Sequence, residues 1–203
     1  MEPAPDDPWR VSWEAINARA WWRLNRSSEL PPSVSGGAPF HGLPRLRLWN
    51  NATGFGCDTE PTTLTVYEVF PDVATLQREP VVREAVWRRG DDLDQLSREM
   101  RHRSEPLFPR PTVVVRDAPV PAERLDELLA EATVIRMPAA WFWNDESVTA
   151  SAGRVGFEFY SRDQPSAALK LEWSYATPPE WQPFLTWSRR LRRFLEGCLP
   201  GTA

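Results

Sequence analysis

The amino-acid sequence predicts an α+β fold, a mainly antiparallel sheet packed on one face by helices, with an N-terminal helix. Three observations lead there. Strand-type segments, rich in β-branched and aromatic residues, come in neighbouring pairs, 63–70 with 81–88 and 154–161 with 167–175. A helical segment follows each pair, at 91–102 and 183–197, and that order favours antiparallel pairing over βαβ crossovers. Apolar residues at spacings of three and four mark helices over 8–25, 121–132 and 183–197.

Residues 1–7 form a disordered lead-in, and a single domain is expected over 8–200. Asp7 is placed to cap a helix that opens at Pro8, where proline suits the first helical position. Trp9, Trp13, Ile16, Ala20 and Leu24 then make one apolar stripe. Residues 27–44 carry Ser, Pro and Gly in quantity and read as a long surface loop. Leu46 to Trp49 alternates as a strand, and the turn-rich loop 50–58 follows it. Pro71-Asp72 ends the next strand, and an acidic first turn at Asp91 begins a polar helix. Val113-Val114-Val115 is expected to be a buried-strand run within 111–116, and Leu125, Leu128, Leu129 and Ala132 lie on one helical face.

The last hairpin has a register that can be written down in advance. A turn near Gln164-Pro165 pairs Phe159 with Leu169, Phe157 with Leu171 and Val155 with Trp173. All six then share one face, expected to be the core face, and Glu158 falls opposite Lys170 on the other. A slip of one residue would lose both matches. Thr177 to Glu180 has the form of a capping box. Phe184, Trp187, Leu191, Phe194 and Cys198 stripe the closing helix, which stops at Gly197.

Composition excludes more than it assigns. The formal charge of −4 is unlike a surface built to bind nucleic acid or an anionic membrane. Lys170 is the single lysine and no Gly-rich loop precedes it, so there is no P-loop. Two cysteines, Cys57 and Cys198, make neither a disulfide framework nor a metal motif. The acidic N-terminus is not a signal peptide, and no run nears the roughly 18 apolar residues of a membrane span. A cytoplasmic setting is therefore expected. The arginine, proline and alanine excess is that of a GC-rich, bacterial genome and carries little functional weight.

Four groups of polar residues are candidates for chemistry. Glu68, Glu84, Glu158 and Glu172 sit mid-strand, and gathered on one sheet face they would suit acid–base work or a metal. Alternation alone makes a solvent face of such residues, with Arg83, Arg88 and Lys170 as partners, and that reading is preferred. His41 and His102 lack helical metal spacing, and nothing local brings His41 to Cys57. Gly54-Phe55-Gly56, with Asp58 and Glu60 nearby, is explained by a strand-connecting turn. Arg189, Arg190, Arg192 and Arg193 crowd one helix, where a phosphate-binding patch and a solvated face give the same pattern. No catalytic residue, metal or cofactor is assigned.

The tryptophans carry the functional expectation. Of the 11, Trp21-Trp22 and Trp141-Phe142-Trp143 are adjacent aromatics that cannot all face one core. Trp22 lies about 160° from the Ile16–Leu24 stripe, at about 100° per residue. Exposed aromatics and arginines are the residues of interface hot spots. The expected function is a non-catalytic binding, adaptor or immunity-type protein. Its contact surface is drawn from Trp21, Trp22, Trp141, Phe142, Trp143, Arg189, Arg192 and Arg193, and its partner is another protein or a second copy. A hydrolase with carboxylates from Asp58, Glu68, Glu84 and Glu158 is the alternative. A nucleic-acid-associated protein using the arginine-rich helix is the second.

Overall fold

The computed structural model describes residues 7–29, 42–51, 60–69, 79–136, 154–160, 168–174 and 179–201. In chain order the elements are α1 (Pro8–Glu29), β1 (Gly42–Asn51), β2 (Thr62–Val69), β3 (Glu79–Trp87), α2 (Arg89–Met100), β4 (Val113–Pro119), α3 (Ala122–Ala132), β5 (Arg154–Tyr160), β6 (Ala168–Ser174) and α4 (Gln182–Cys198). All six strands join one antiparallel sheet in the order β4-β3-β2-β1-β5-β6. The α+β class and the antiparallel sheet are as expected. β1 is longer than the 46–49 the sequence suggests, because it is bracketed by β2 and β5 and pairs along its whole length, and β4 runs on past 116, with Val114 and Val115 exposed rather than buried as expected.

The hairpin register agrees residue by residue: Phe159 pairs Leu169, Phe157 pairs Leu171, Val155 pairs Trp173 and Glu158 pairs Lys170. Coverage of that face is where expectation fails. Phe157 and Leu171 are buried under α4, while Phe159 is 37% and Leu169 58% exposed and Trp173 is half-buried. The pleat fixes which face a side chain takes, but α4 crosses only part of it. Burial follows the crossing, with Phe184 and Trp187 against Phe157 at 5.7 and 5.4 Å between ring centres.

Helices lie on both sides of the sheet. On one face α3 and α4 pack Leu125, Leu128, Leu185, Leu191 and Leu195 against Leu46, Leu48, Leu64, Val66 and Val82. On the other, Ile16, Ala20 and Leu24 of α1 meet Ala85, Trp87 and Leu96. Asp92 anchors this second layer, accepting from Trp87 Nε1 and the Thr112 amide, both at 2.7 Å. Thr177 of the expected capping box lies outside the described residues. The end of that stretch is a 3₁₀ turn, Pro179–Trp181, and α4 follows with Pro183 in its first turn.

One backbone approach on the α1 face has a steric cause. Gly156 pairs Trp49, whose indole lies over it: a Cβ at 156 would stand 2.0 Å from Trp49 Cε2. Trp49 is buried, edge-on to Trp21 at 5.5 Å, with the Lys170 ammonium 6.0 Å from its ring centre. Gly156→Ala must therefore displace a ring held from above, at a cost of about 1–3 kcal/mol. Chemical denaturation checks this, and adding Gly156→Ala to Trp49→Leu should cost much less than adding it to the wild type.

Candidate functional site

The buried stripe of α1 determines what its other side presents. Ile16, Ala20 and Leu24 recur every fourth residue and seat the helix on β3 and α2. Trp22 then points outward and is 62% exposed. Arg19 and Arg26 flank it at three and four residues, exposed like it, and Arg23 sits at the boundary with the sheet. The Arg26 guanidinium lies over the Trp22 ring, 5.6 Å from its centre. Beside this stripe Phe108 is 59% exposed, with the Arg19 guanidinium 5.4 Å from its ring centre.

Among the described residues, neutral groups rather than acids accept from the arginines of this face. Arg19 Nη1 donates to the Phe108 carbonyl at 2.6 Å, and Arg23 Nη1 donates to the Pro111 carbonyl. These acceptors are neutral, so the hydrogen bonds orient both guanidiniums without cancelling their charge. Among the described residues no carboxylate pairs with Arg19, Arg23 or Arg26. Trp21, adjacent in sequence, is half-buried against Trp49. Trp141, Phe142 and Trp143 lie outside the described residues.

The arginine run of α4 divides in three. Arg190 holds Glu131 of α3 through two hydrogen bonds, at 2.7 and 3.0 Å. Arg192 is half-buried and 3.7 Å from Glu196. Arg189 and Arg193 are exposed. A groove of about 460 Å³ opens beside Arg190, lined by Val134, Ile135, Pro183 and Trp187 among others.

Of the four strand glutamates only Glu172 is exposed, so the expected solvent face does not hold for the other three. Glu68, Glu84 and Glu158 are buried. Glu68 faces α3 and lies 3.6 Å from Arg45, which also binds Asp126 at 2.8 Å. Glu84 accepts from Arg116, through Nε at 2.7 Å and through Nη2. Glu158 and Glu172 lie on the opposite, α1 side, and Glu172 pairs with Arg154 at 2.9 Å. Of the two on the α3 side, Glu68 is opposite Pro80, four residues from Glu84 along β3, or about 13 Å. The structure therefore does not bring these carboxylates together. The expected partners are partly exchanged: Lys170 does face Glu158 at 3.5 Å, but Arg83 binds Asp117 and Arg88 binds Glu60.

The other sequence candidates are only partly described. Among the described residues no group of three or more His, Cys, Asp or Glu could hold a metal ion. His102 is exposed in the turn after α2. The Cys198 thiol donates to the Phe194 carbonyl at 3.3 Å, and burial pushes its pKa up, away from thiolate reactivity. His41, Cys57, Asp58 and the glycines 54 and 56 lie outside the described residues. Among the described residues no helix is long and apolar enough to cross a membrane.

Sequence reasoning missed a row of residues that crosses the whole sheet on the α1 side. In sheet order it runs Lys170, Glu158, Arg47, Thr65, Arg83, Asp117, one residue from each strand. Arg83 is 5% exposed and forks onto Asp117, Nε to Oδ1 and Nη2 to Oδ2, both at 2.8 Å. Glu158 is shared, with Lys170 at 3.5 Å, Arg47 at 3.7 Å and the Tyr160 hydroxyl donating to it at 2.7 Å. Burial and that carboxylate push the Tyr160 pKa up to about 12. The last turns of α1 reach down to the row, with Asn25 Oδ1 accepting from Arg47 and the Ser27 carbonyl from Arg83 at 3.4 Å. No signal in the linear sequence marks this row, since it exists only once five pairings are set. The chain matches no protein-family model, no curated protein and no solved structure.

Proposed function

We propose that the chain is a non-catalytic, cytoplasmic binding protein that engages an acidic segment of a partner protein through the outer face of α1. The observation that carries this reading is Trp22, 62% exposed on a rigid helix between arginines that no described carboxylate neutralises. A tryptophan on a helix loses little conformational freedom on docking and offers a large contact area. Arginine beside it supplies charge and a planar donor fork suited to carboxylates. The stripe is short and the whole chain carries −4, which disfavours a nucleic-acid backbone as partner. Self-association through a two-fold axis would set the arginines of one copy against those of the other. The hydrolase alternative loses support from the separate ion pairing of Glu68, Glu84 and Glu158.

Fluorescence polarisation tests this with labelled glutamate-rich peptides, each carrying one aromatic residue, and with a single-stranded DNA of matched charge. Trp22→Ser should change stability by no more than about 0.5 kcal/mol, as surface substitutions do. It should cost about 2 kcal/mol or more in peptide affinity, roughly 30-fold. Preference for the DNA, or equal peptide binding by wild type and Trp22→Ser, would overturn the reading.

A further inference from the structure

We propose that the centre of the cross-sheet row is a binding site for a small oxyanion, the carboxylate or phosphate group of a ligand, held by Arg47, Thr65 and Tyr67 beside Arg83. The argument begins with charge order. Along the sheet the row reads plus, minus, plus, neutral, plus, minus, so Thr65 stands between two arginines with no acid between them. Among the described residues, three cations of the row share two carboxylates, Glu158 and Asp117. Asp117 is engaged by the Arg83 fork, and Glu158 is divided among Lys170, Arg47 and Tyr160. Arg47 thus has the weakest claim on an acid, at 3.7 Å, and its other partner, Asn25, is neutral. A buried cation in that state favours an anion beside it.

Donors without partners supply the second, independent observation. Thr65 and Tyr67 are each 1% exposed, and among the described residues neither hydroxyl has a hydrogen-bond partner; the same holds for Arg47 Nε. Thr65 and Tyr67 lie two residues apart on β2 and so on the same face, the one that carries Arg47 and Arg83. Burial pushes the Tyr67 pKa up and the charges of Arg83 and Arg47 pull it down, so both guanidiniums act on this hydroxyl. It stays protonated and able to donate. Two hydroxyls and two guanidiniums on one patch of sheet, one of the latter with an unpaired Nε among the described residues, match the acceptor-only oxygens of a carboxylate or phosphate. The site lies beneath α1, on the side opposite Trp22, and does not depend on the partner proposed for that outer face.

Calorimetric titration and thermal denaturation with inorganic phosphate and with acetate, against chloride at equal ionic strength, form the test. At least one oxyanion should bind and raise Tm above the chloride control, and which one does so identifies the ligand group. Tyr67→Phe and Thr65→Val keep side-chain shape and remove one hydroxyl each, so both variants should fold. Each should bind the oxyanion about tenfold more weakly. Arg26→Ala, on the outer face of α1, should bind it as wild type does. The proposal is overturned if neither oxyanion outperforms chloride, if either hydroxyl variant binds as wild type does, or if Arg26→Ala abolishes the effect.

Discussion

Trp187→Ala is expected to lower stability by about 3–5 kcal/mol, the range of a large aromatic truncated in a packed core. Trp187 is buried where α4, α3 and the sheet meet, with Phe157 and Phe184 ring centres 5.4 and 5.5 Å away. Its Nε1 donates to the Leu128 carbonyl at 2.7 Å, which ties α4 to α3. Truncation removes that donor as well and leaves the carbonyl to be satisfied by water in the new cavity, a further cost of about 1 kcal/mol. Against a typical total of about 5–15 kcal/mol, this is a large fraction. Urea unfolding should show a lower midpoint with an unchanged slope. Trp187→Phe separates the two contributions, since it keeps ring contact and loses only the donor and part of the area. A loss under about 1 kcal/mol for Trp187→Ala would mean that α4 is not a structural member of this core.

The parts of this molecule that the sequence discloses are those set by short-range periodicity. The β5–β6 register is legible because alternation has a period of two and only one turn position satisfies both the apolar pairs and Glu158 with Lys170. Trp22 is legible for a similar reason, since the helical repeat that buries Ile16, Ala20 and Leu24 must turn residue 22 outward. What the sequence conceals depends on coverage and on distant pairing. Phe159 and Leu169 obey the pleat yet remain exposed, because the path of α4 over the sheet is a tertiary fact. The strand glutamates look solvated from their alternation, yet Glu68, Glu84 and Glu158 are buried once the sheet is assembled and packed. The insertion of β1 between β2 and β5 joins residues about a hundred positions apart, and no local signal announces it. The aromatic outer face of α1 is therefore readable in the sequence, and the charged row beneath the same helix is not.

That row gives the second large expected effect. Asp117→Ala should destabilise the protein by about 3–5 kcal/mol, because it removes the forked acceptor of a guanidinium that is already desolvated. The comparison that identifies the cause is an exposed pair of similar length. Arg190 and Glu131 meet at 2.7 Å with nearly half of each side chain in solvent, and Glu131→Ala should cost less than about 1 kcal/mol. Salt should separate them too, since added ions screen the α3–α4 pair and leave the buried one almost unchanged. Asp117→Asn keeps the shape and loses the charge, and it should resemble Asp117→Ala if the uncompensated guanidinium is the cause. Replacing both members, Arg83→Met with Asp117→Leu, removes the stranded charge as well as its partner and should recover most of the loss. If the double variant were as unstable as Asp117→Ala, packing at this position and not charge would be the source of the effect. If instead Asp117→Ala stayed within about 1 kcal/mol of wild type, Arg83 would be compensated elsewhere in the row. The balance of three cations against two carboxylates would then no longer describe it.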